Sequence, residues 1–94
     1  MSRKLKDVTG GTVEPQGQWR TVRGLPGGYL AIRTEPAYKY ENEINHTGLI
    51  NGDQVMIAGP SVQGSGINGS IATYAYVYSP KYGLYGYVNA YYLG

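Results

Sequence analysis

The sequence predicts an all-β domain, and three observations carry that expectation. Fifteen Gly and five Pro are spread along 94 residues, and turn formers at that density favour short strands joined by tight connections. No stretch of about ten to twelve residues keeps a helical period of apolar side chains. From Ile71 to Tyr78, small or β-branched residues alternate with tyrosines, the period of a strand with two different faces. A chain of this length closes a single core. The expected organisation is an extended or flexible lead-in over 1–18 and one domain over 19–94, built as a small barrel of about five to seven short antiparallel strands.

The elements follow in order. Val8 to Gln18 mixes turn formers with isolated valines and predicts a looping entry. Trp19-Arg20-Thr21-Val22 reads as a short strand stopped by Gly24, Pro26, Gly27 and Gly28. Tyr29 to Thr34 reads as a second strand, with Leu30 and Ile32 on one face and Arg33 on the other, ended where Pro36 removes a ladder donor. Ala37 to Asn45 is polar and aromatic without a helical stripe, and predicts a long loop carrying Tyr38 and Tyr40. Asn51-Gly52-Asp53 predicts a turn into a strand from Gln54 to Ala58 with Val55 and Ile57 inward. Residues 59–69 predict a glycine-rich, uncharged connection. Ile71, Thr73, Ala75 and Val77 form one face of the next strand, small or β-branched, and Ala72, Tyr74, Tyr76 and Tyr78 the other, mainly tyrosine. Ser79 to Gly83 turns the chain, Leu84 to Val88 runs back, and Asn89 to Gly94 predicts one short helical turn before a final edge strand.

Composition narrows the function. The net charge of +2 comes from Arg3, Lys4 and Lys6 against Asp7, and from Val8 onward basic and acidic residues balance. Nucleic-acid binders present a basic face, and a neutral body argues against one. No apolar run is long enough for a signal peptide or a membrane span. The absence of Cys excludes a disulfide framework, a thiolate nucleophile and Cys-type zinc sites.

No motif assembles a catalytic or cofactor site. Gly64-Ser65-Gly66-Ile67-Asn68-Gly69 matches the dinucleotide fingerprint by letter, but a strand follows it where a helix is required, so it reads as a hairpin loop. His46 is the single histidine, too few for a metal pair or a proton relay, and reads as part of a polar turn with Asn45 and Thr47. Glu41 and Glu43, with Glu35 and Asp53, could supply carboxylates for glycoside hydrolysis, but spacing of two in a polar loop reads as a solvated face. His46, Asp53 and the serines lack a nucleophile elbow. No enzyme activity, metal or cofactor is therefore expected.

The tyrosines point instead to binding. There are eleven, with no Phe and one Trp, and a domain this small cannot hide every ring. A buried ring needs a partner for its hydroxyl, so many should lie half-buried with their tips in water. Exposed rings in a groove hold extended peptides and sugars by stacking.

Three blocks add a family resemblance. Tyr29-Leu30-Ala31-Ile32-Arg33-Thr34-Glu35-Pro36, Leu49-Ile50-Asn51-Gly52-Asp53-Gln54-Val55 and Gly86-Tyr87-Val88-Asn89-Ala90-Tyr91-Tyr92-Leu93 are similar, in order and spacing, to segments of the bacterial SH3 (SH3b) family. Ala31 stands where that family has Asn, and Tyr74-Ala75-Tyr76-Val77 where it has a Trp-bearing strand. The resemblance implies an SH3-like barrel that recognises peptidoglycan or its cross-bridge peptides, as a non-catalytic targeting module of a cell-wall hydrolase or phage endolysin. It implies a ligand groove lined by Tyr38 and Tyr40 on one side and Tyr74 and Tyr76 on the other, with Arg33 as an ionic contact. The expected partners are bacterial cell wall, and a catalytic domain of a longer parent chain or a second copy. The expected site of action is the cell wall or the extracellular space, reached without a signal peptide. The alternative is an intracellular protein-interaction or assembly module of the same fold.

Overall fold

The longest strand organises everything else. In a computed structural model, which describes residues 18–94 and the backbone pairing of two short segments before them, the segment with the clearest alternation becomes a nine-residue strand. The strands are β1 (Leu5–Lys6), β2 (Thr12–Val13), β3 (Trp19–Thr21), β4 (Gln54–Ile57), β5 (Val62–Ser65), β6 (Ile71–Ser79) and β7 (Leu84–Asn89). β1 pairs with β2, and the rest of the predicted 1–18 lead-in, Gln18 apart, lies outside the described residues. The other five strands form one antiparallel sheet, in which β6 pairs with β4 and β5 as well as with β7. The expected all-β architecture of short antiparallel strands is the one observed. No helix among the described residues is long and apolar enough to cross a membrane.

The sheet curls back on itself. β3 lies beside β4, β4 beside β6, and β6 beside β7. After β7 a 3-10 turn, Ala90–Tyr92, carries the chain to Leu93, which bridges Val22 just beyond β3. Thr21 and Gly94 exchange two backbone hydrogen bonds there, of 3.2 and 2.9 Å. The ring of strands so closed surrounds a core of Val22, Leu30, Ile32, Leu49, Val55, Ala75, Val77 and Val88. All eight are aliphatic, and of the tyrosines only Tyr74 is fully buried.

Two expectations are corrected by this packing. Tyr29 to Thr34 is not a continuous strand, because its backbone serves different partners in turn. Leu30 pairs with Leu49, the Ile32 carbonyl accepts from Ile44 and Arg33 pairs with Tyr87. Residues 59–69 are not a plain connection: they contain β5 and a 3-10 turn at Ile67–Gly69. Ile71 and Thr73 are exposed, although Ala75 and Val77 on the same face are buried. The first half of β6 reaches past the core, where its recorded strand partner is β5.

The turn before β4 is held electrostatically. Asp53 Oδ2 accepts from the Ile50 N–H at 2.9 Å and from Lys81 Nζ at 2.9 Å. Burial alone would raise the carboxyl, but these two donors outweigh it and hold the Asp53 pKa below the usual range of an aspartate. A depressed carboxylate contributes stability that is present above the unfolded-state pKa and is lost as pH falls through the folded value. Stability should therefore decline as pH drops below about 4, and Asp53→Asn should flatten that part of a pH series of urea melts. An unchanged acid limb in the variant would contradict this assignment.

Candidate functional site

The loop after Arg33 is organised around that side chain. Arg33 is buried, and its Nη1 donates to the Lys39 carbonyl at 2.8 Å and to Asn42 Oδ1 at 3.0 Å. Glu43 Oε2 lies 3.8 Å from the same nitrogen. Asn42 is in turn fixed by donating from Nδ2 to the Ala37 carbonyl at 2.8 Å. The guanidinium carbon sits 4.8 Å from the centre of the Tyr38 ring, a cation–π contact that presents the other ring face outward. A buried charge is tolerated when it is paired and hydrogen-bonded in this way. The segment 37–43, including the 3-10 turn Tyr40–Asn42, thus wraps a charge rather than an apolar core, and its polar composition follows.

Arg33 and Tyr38 open onto a cleft of about 410 Å³. Residues 25–31 form one wall, and Tyr92 and Asn89, from the end of β7 and the turn after it, form the opposite side. Tyr74 forms the floor. It is 1% exposed, and its hydroxyl donates to the Ser65 carbonyl at 2.7 Å; burial raises its pKa. At the rim the Tyr29 hydroxyl donates to Glu43 Oε1 at 2.8 Å, and that bond and the Glu43 charge raise the Tyr29 pKa. Glu43 therefore ties Tyr29 to Arg33 across the cleft mouth. Tyr74→Phe should leave the Ser65 carbonyl without its donor and destabilise the protein by about 1 kcal/mol in denaturant titration; equal midpoints would show that the bond contributes nothing.

Of the five residues expected at the groove, the structure brings together Arg33, Tyr38 and Tyr74. Tyr74 is a floor rather than a stacking surface, because its ring is buried and its hydroxyl is taken up by the Ser65 carbonyl. Tyr40 is 86% exposed and does not line the cleft. Tyr76 points to the outer face of the sheet, where it meets Tyr85 and Tyr87. Sequence reasoning missed Tyr29, Glu43 and Tyr92. Tyr29 follows Gly28, which has φ +69°, and both line the cleft. Glu43 carried no local signal.

The loop between β5 and β6 closes the cleft's far end through Gly66 and Ile67. These belong to the segment that matches the dinucleotide fingerprint by letter. A 3-10 turn inside a hairpin, with Asn68 at φ 57°, replaces the strand-to-helix geometry that would cradle phosphate. His46, at φ 64°, lies in the expected turn.

Comparison with known proteins adds no relative: no family model, curated protein or solved structure matches the chain. The functional reading rests on the geometry and on the three sequence blocks.

Proposed function

We propose that this protein is a non-catalytic binding module that holds bacterial cell wall, with a peptidoglycan peptide in the cleft between Tyr29, Tyr38 and Tyr92. The observation that carries the reading is the cleft itself, where aromatic rings converge on an Arg33–Glu43 pair held in place by the fold. Rings and a fixed pair of opposite charges suit a short extended peptide, whose apolar groups stack while its polar ends meet a charge of each sign. Because the walls are tied together by Arg33 and Glu43 before any ligand arrives, little ordering cost remains to be met on binding.

The test is co-sedimentation of the purified protein with isolated cell walls from a panel of Gram-positive bacteria. The protein should pellet with at least one wall type. Tyr38→Ala should weaken that binding about tenfold, the loss of one stacked ring and its cation–π support, whereas Tyr40→Ala should leave it unchanged. Failure to pellet with any wall would sink the proposal.

A further inference from the structure

The tyrosines fall into two classes by the fate of their hydroxyls. Tyr29, Tyr74 and Tyr82 each donate to a protein acceptor, Glu43, the Ser65 carbonyl and the Gly48 carbonyl respectively. Among the described residues the other eight have no such partner, Tyr76, Tyr78, Tyr85 and Tyr87 among them. These four lie together on the outer face of the β6–β7 ladder. Tyr78 is directly opposite Tyr85, and Tyr76 opposite Tyr87. Their rings form a connected chain: Tyr87 to Tyr76 at 5.0 Å, Tyr76 to Tyr85 at 5.9 Å and nearly parallel, and Tyr85 to Tyr78 at 4.9 Å. The near-parallel pair is the diagonal one, which cross-strand geometry brings within reach for aromatic side chains.

The row extends across the sheet. Register places Met56 beside Tyr78 and Trp19 beside Met56, so Tyr85, Tyr78, Met56 and Trp19 occupy adjacent strands in line. Met56 is buried, while Trp19 and Tyr85 are among the exposed large side chains. Behind Tyr76 the chain runs close at Gly59, where an added Cβ would touch the ring at 3.5 Å, so the ring is backed as well as flanked.

The outward positions of β3, β4, β6 and β7 in this region, Trp19, Thr21, Gln54, Met56 and the four tyrosines, include no Asp, Glu, Lys or Arg. Among the described residues the neighbouring formal charges are Arg20, between Trp19 and Thr21 in β3 and bonded to Gln18 and the Trp19 carbonyl, and Arg33, opposite Tyr87, whose guanidinium is engaged by the 37–43 loop. These positions offer a ligand no charge of their own to pair with, which suits an uncharged one. It must offer apolar surface to rings and hydroxyls to the free phenol tips. Neutral sugars meet both demands, since a pyranose ring has an apolar C–H face and a hydroxyl rim, and rings with a polar tip suit such an amphipathic partner.

We propose that the outer face of the sheet, Trp19, Tyr76, Tyr78, Tyr85 and Tyr87, is a second binding site that takes a neutral oligosaccharide chain by stacking. It is separate from the cleft, although both lie along β6 and β7: the Tyr74–Asn89 pair belongs to the cleft, and the Tyr76–Tyr87 and Tyr78–Tyr85 pairs to this face. The site stands whether or not the cleft takes a wall peptide.

The test is titration of the full chain with a soluble chitin oligosaccharide, read by the fluorescence of Trp19, the single Trp, and by calorimetry. Binding should be insensitive to salt, because no charge is engaged. Tyr85→Ala should weaken it about tenfold, and Tyr85→Phe, which keeps the ring, should weaken it less. Tyr38→Ala should have no effect, and this arm separates the face from the cleft: loss of wall peptide binding there leaves the sugar titration intact. Tyr85 is 43% exposed, so its truncation is compatible with folding, and an unchanged thermal melt checks that. The proposal is overturned if the oligosaccharide does not bind, or if its binding follows Tyr38. It is also overturned if sedimentation equilibrium shows a dimer that Tyr85→Ala dissolves, which would give the face to a second copy.

Discussion

Arg33→Met is expected to lower stability by about 3 kcal/mol, seen as an earlier urea midpoint. The guanidinium is the donor for the Lys39 carbonyl and for Asn42 Oδ1, and Asn42 is itself buried. Removing the donor leaves those acceptors without a partner, and a buried polar group stripped of its bond costs more than the bond itself contributes. Arg33→Lys should restore little of the loss. An ammonium is a point charge without the planar fork, and it would not lie flat over Tyr38 at the 4.8 Å now observed. The same substitution should abolish cleft binding, because the 37–43 loop loses the group around which it folds and Tyr38 loses its support. A midpoint within experimental error of the parent would mean that the loop is held by its backbone bonds alone.

Gly86→Ala is expected to cost a further comparable amount, about 2–3 kcal/mol. Gly86 lies in β7 against the 30–33 segment, and an added Cβ would overlap the Ile32 side chain and come to 3.0 Å from the Arg33 carbonyl. That carbonyl accepts from the Tyr87 N–H at 2.8 Å, and the Arg33 N–H donates back at 2.8 Å. Relieving the overlap would pull this pair of bonds apart and open the core at Ile32. Gly27→Ala is the matched control: nothing lies within 4 Å of its Cβ position, and the change should stay within about 0.5 kcal/mol. Equal melts for the two variants would show that the strand can shift to accept a methyl group.

These two residues mark the boundary of what could be read locally. β4, β6 and β7 were legible because each carries its own alternation and is bounded by Gly, Pro or Asp turn signals. The turn at Ser79 to Gly83 was legible too: the Ser79 carbonyl accepts from Gly83 at 2.7 Å, and Gly83 has φ +69°. β5 was not legible, since Val62-Gln63-Gly64-Ser65 resembles a loop in composition. Its Gly64 is required by a remote event, the approach of the Pro36 carbonyl, which a side chain would block. Arg33 was expected to face a ligand as an ionic contact, and the structure shows much of its charge spent on Lys39, Asn42 and Glu43.

The candidate site divides in the same way. Tyr38 and Arg33 were expected at a groove from the geometry the family resemblance implies, and both line the cleft. Glu43 was set aside with Glu41 as a solvated pair, yet it joins Tyr29 to Arg33 across the cleft. Tyr76 was expected at the groove with Tyr74 because the resemblance implied a groove along that strand. The Tyr74 hydroxyl is taken up by the Ser65 carbonyl in β5, to which the Tyr38 N–H also donates, whereas Tyr76 meets Tyr85 and Tyr87.

The sequence by itself determined that this protein is all-β, with short strands, tight turns and more tyrosine than its core could absorb. Those properties follow from side-chain period, turn chemistry and volume, which act between residues close in the chain. Tertiary structure alone decided which tyrosines became floor, cleft wall or outer face, and whether Arg33 met a loop or solvent. The partners that settle those questions are six to several tens of residues away in the chain, so no local pattern encodes them.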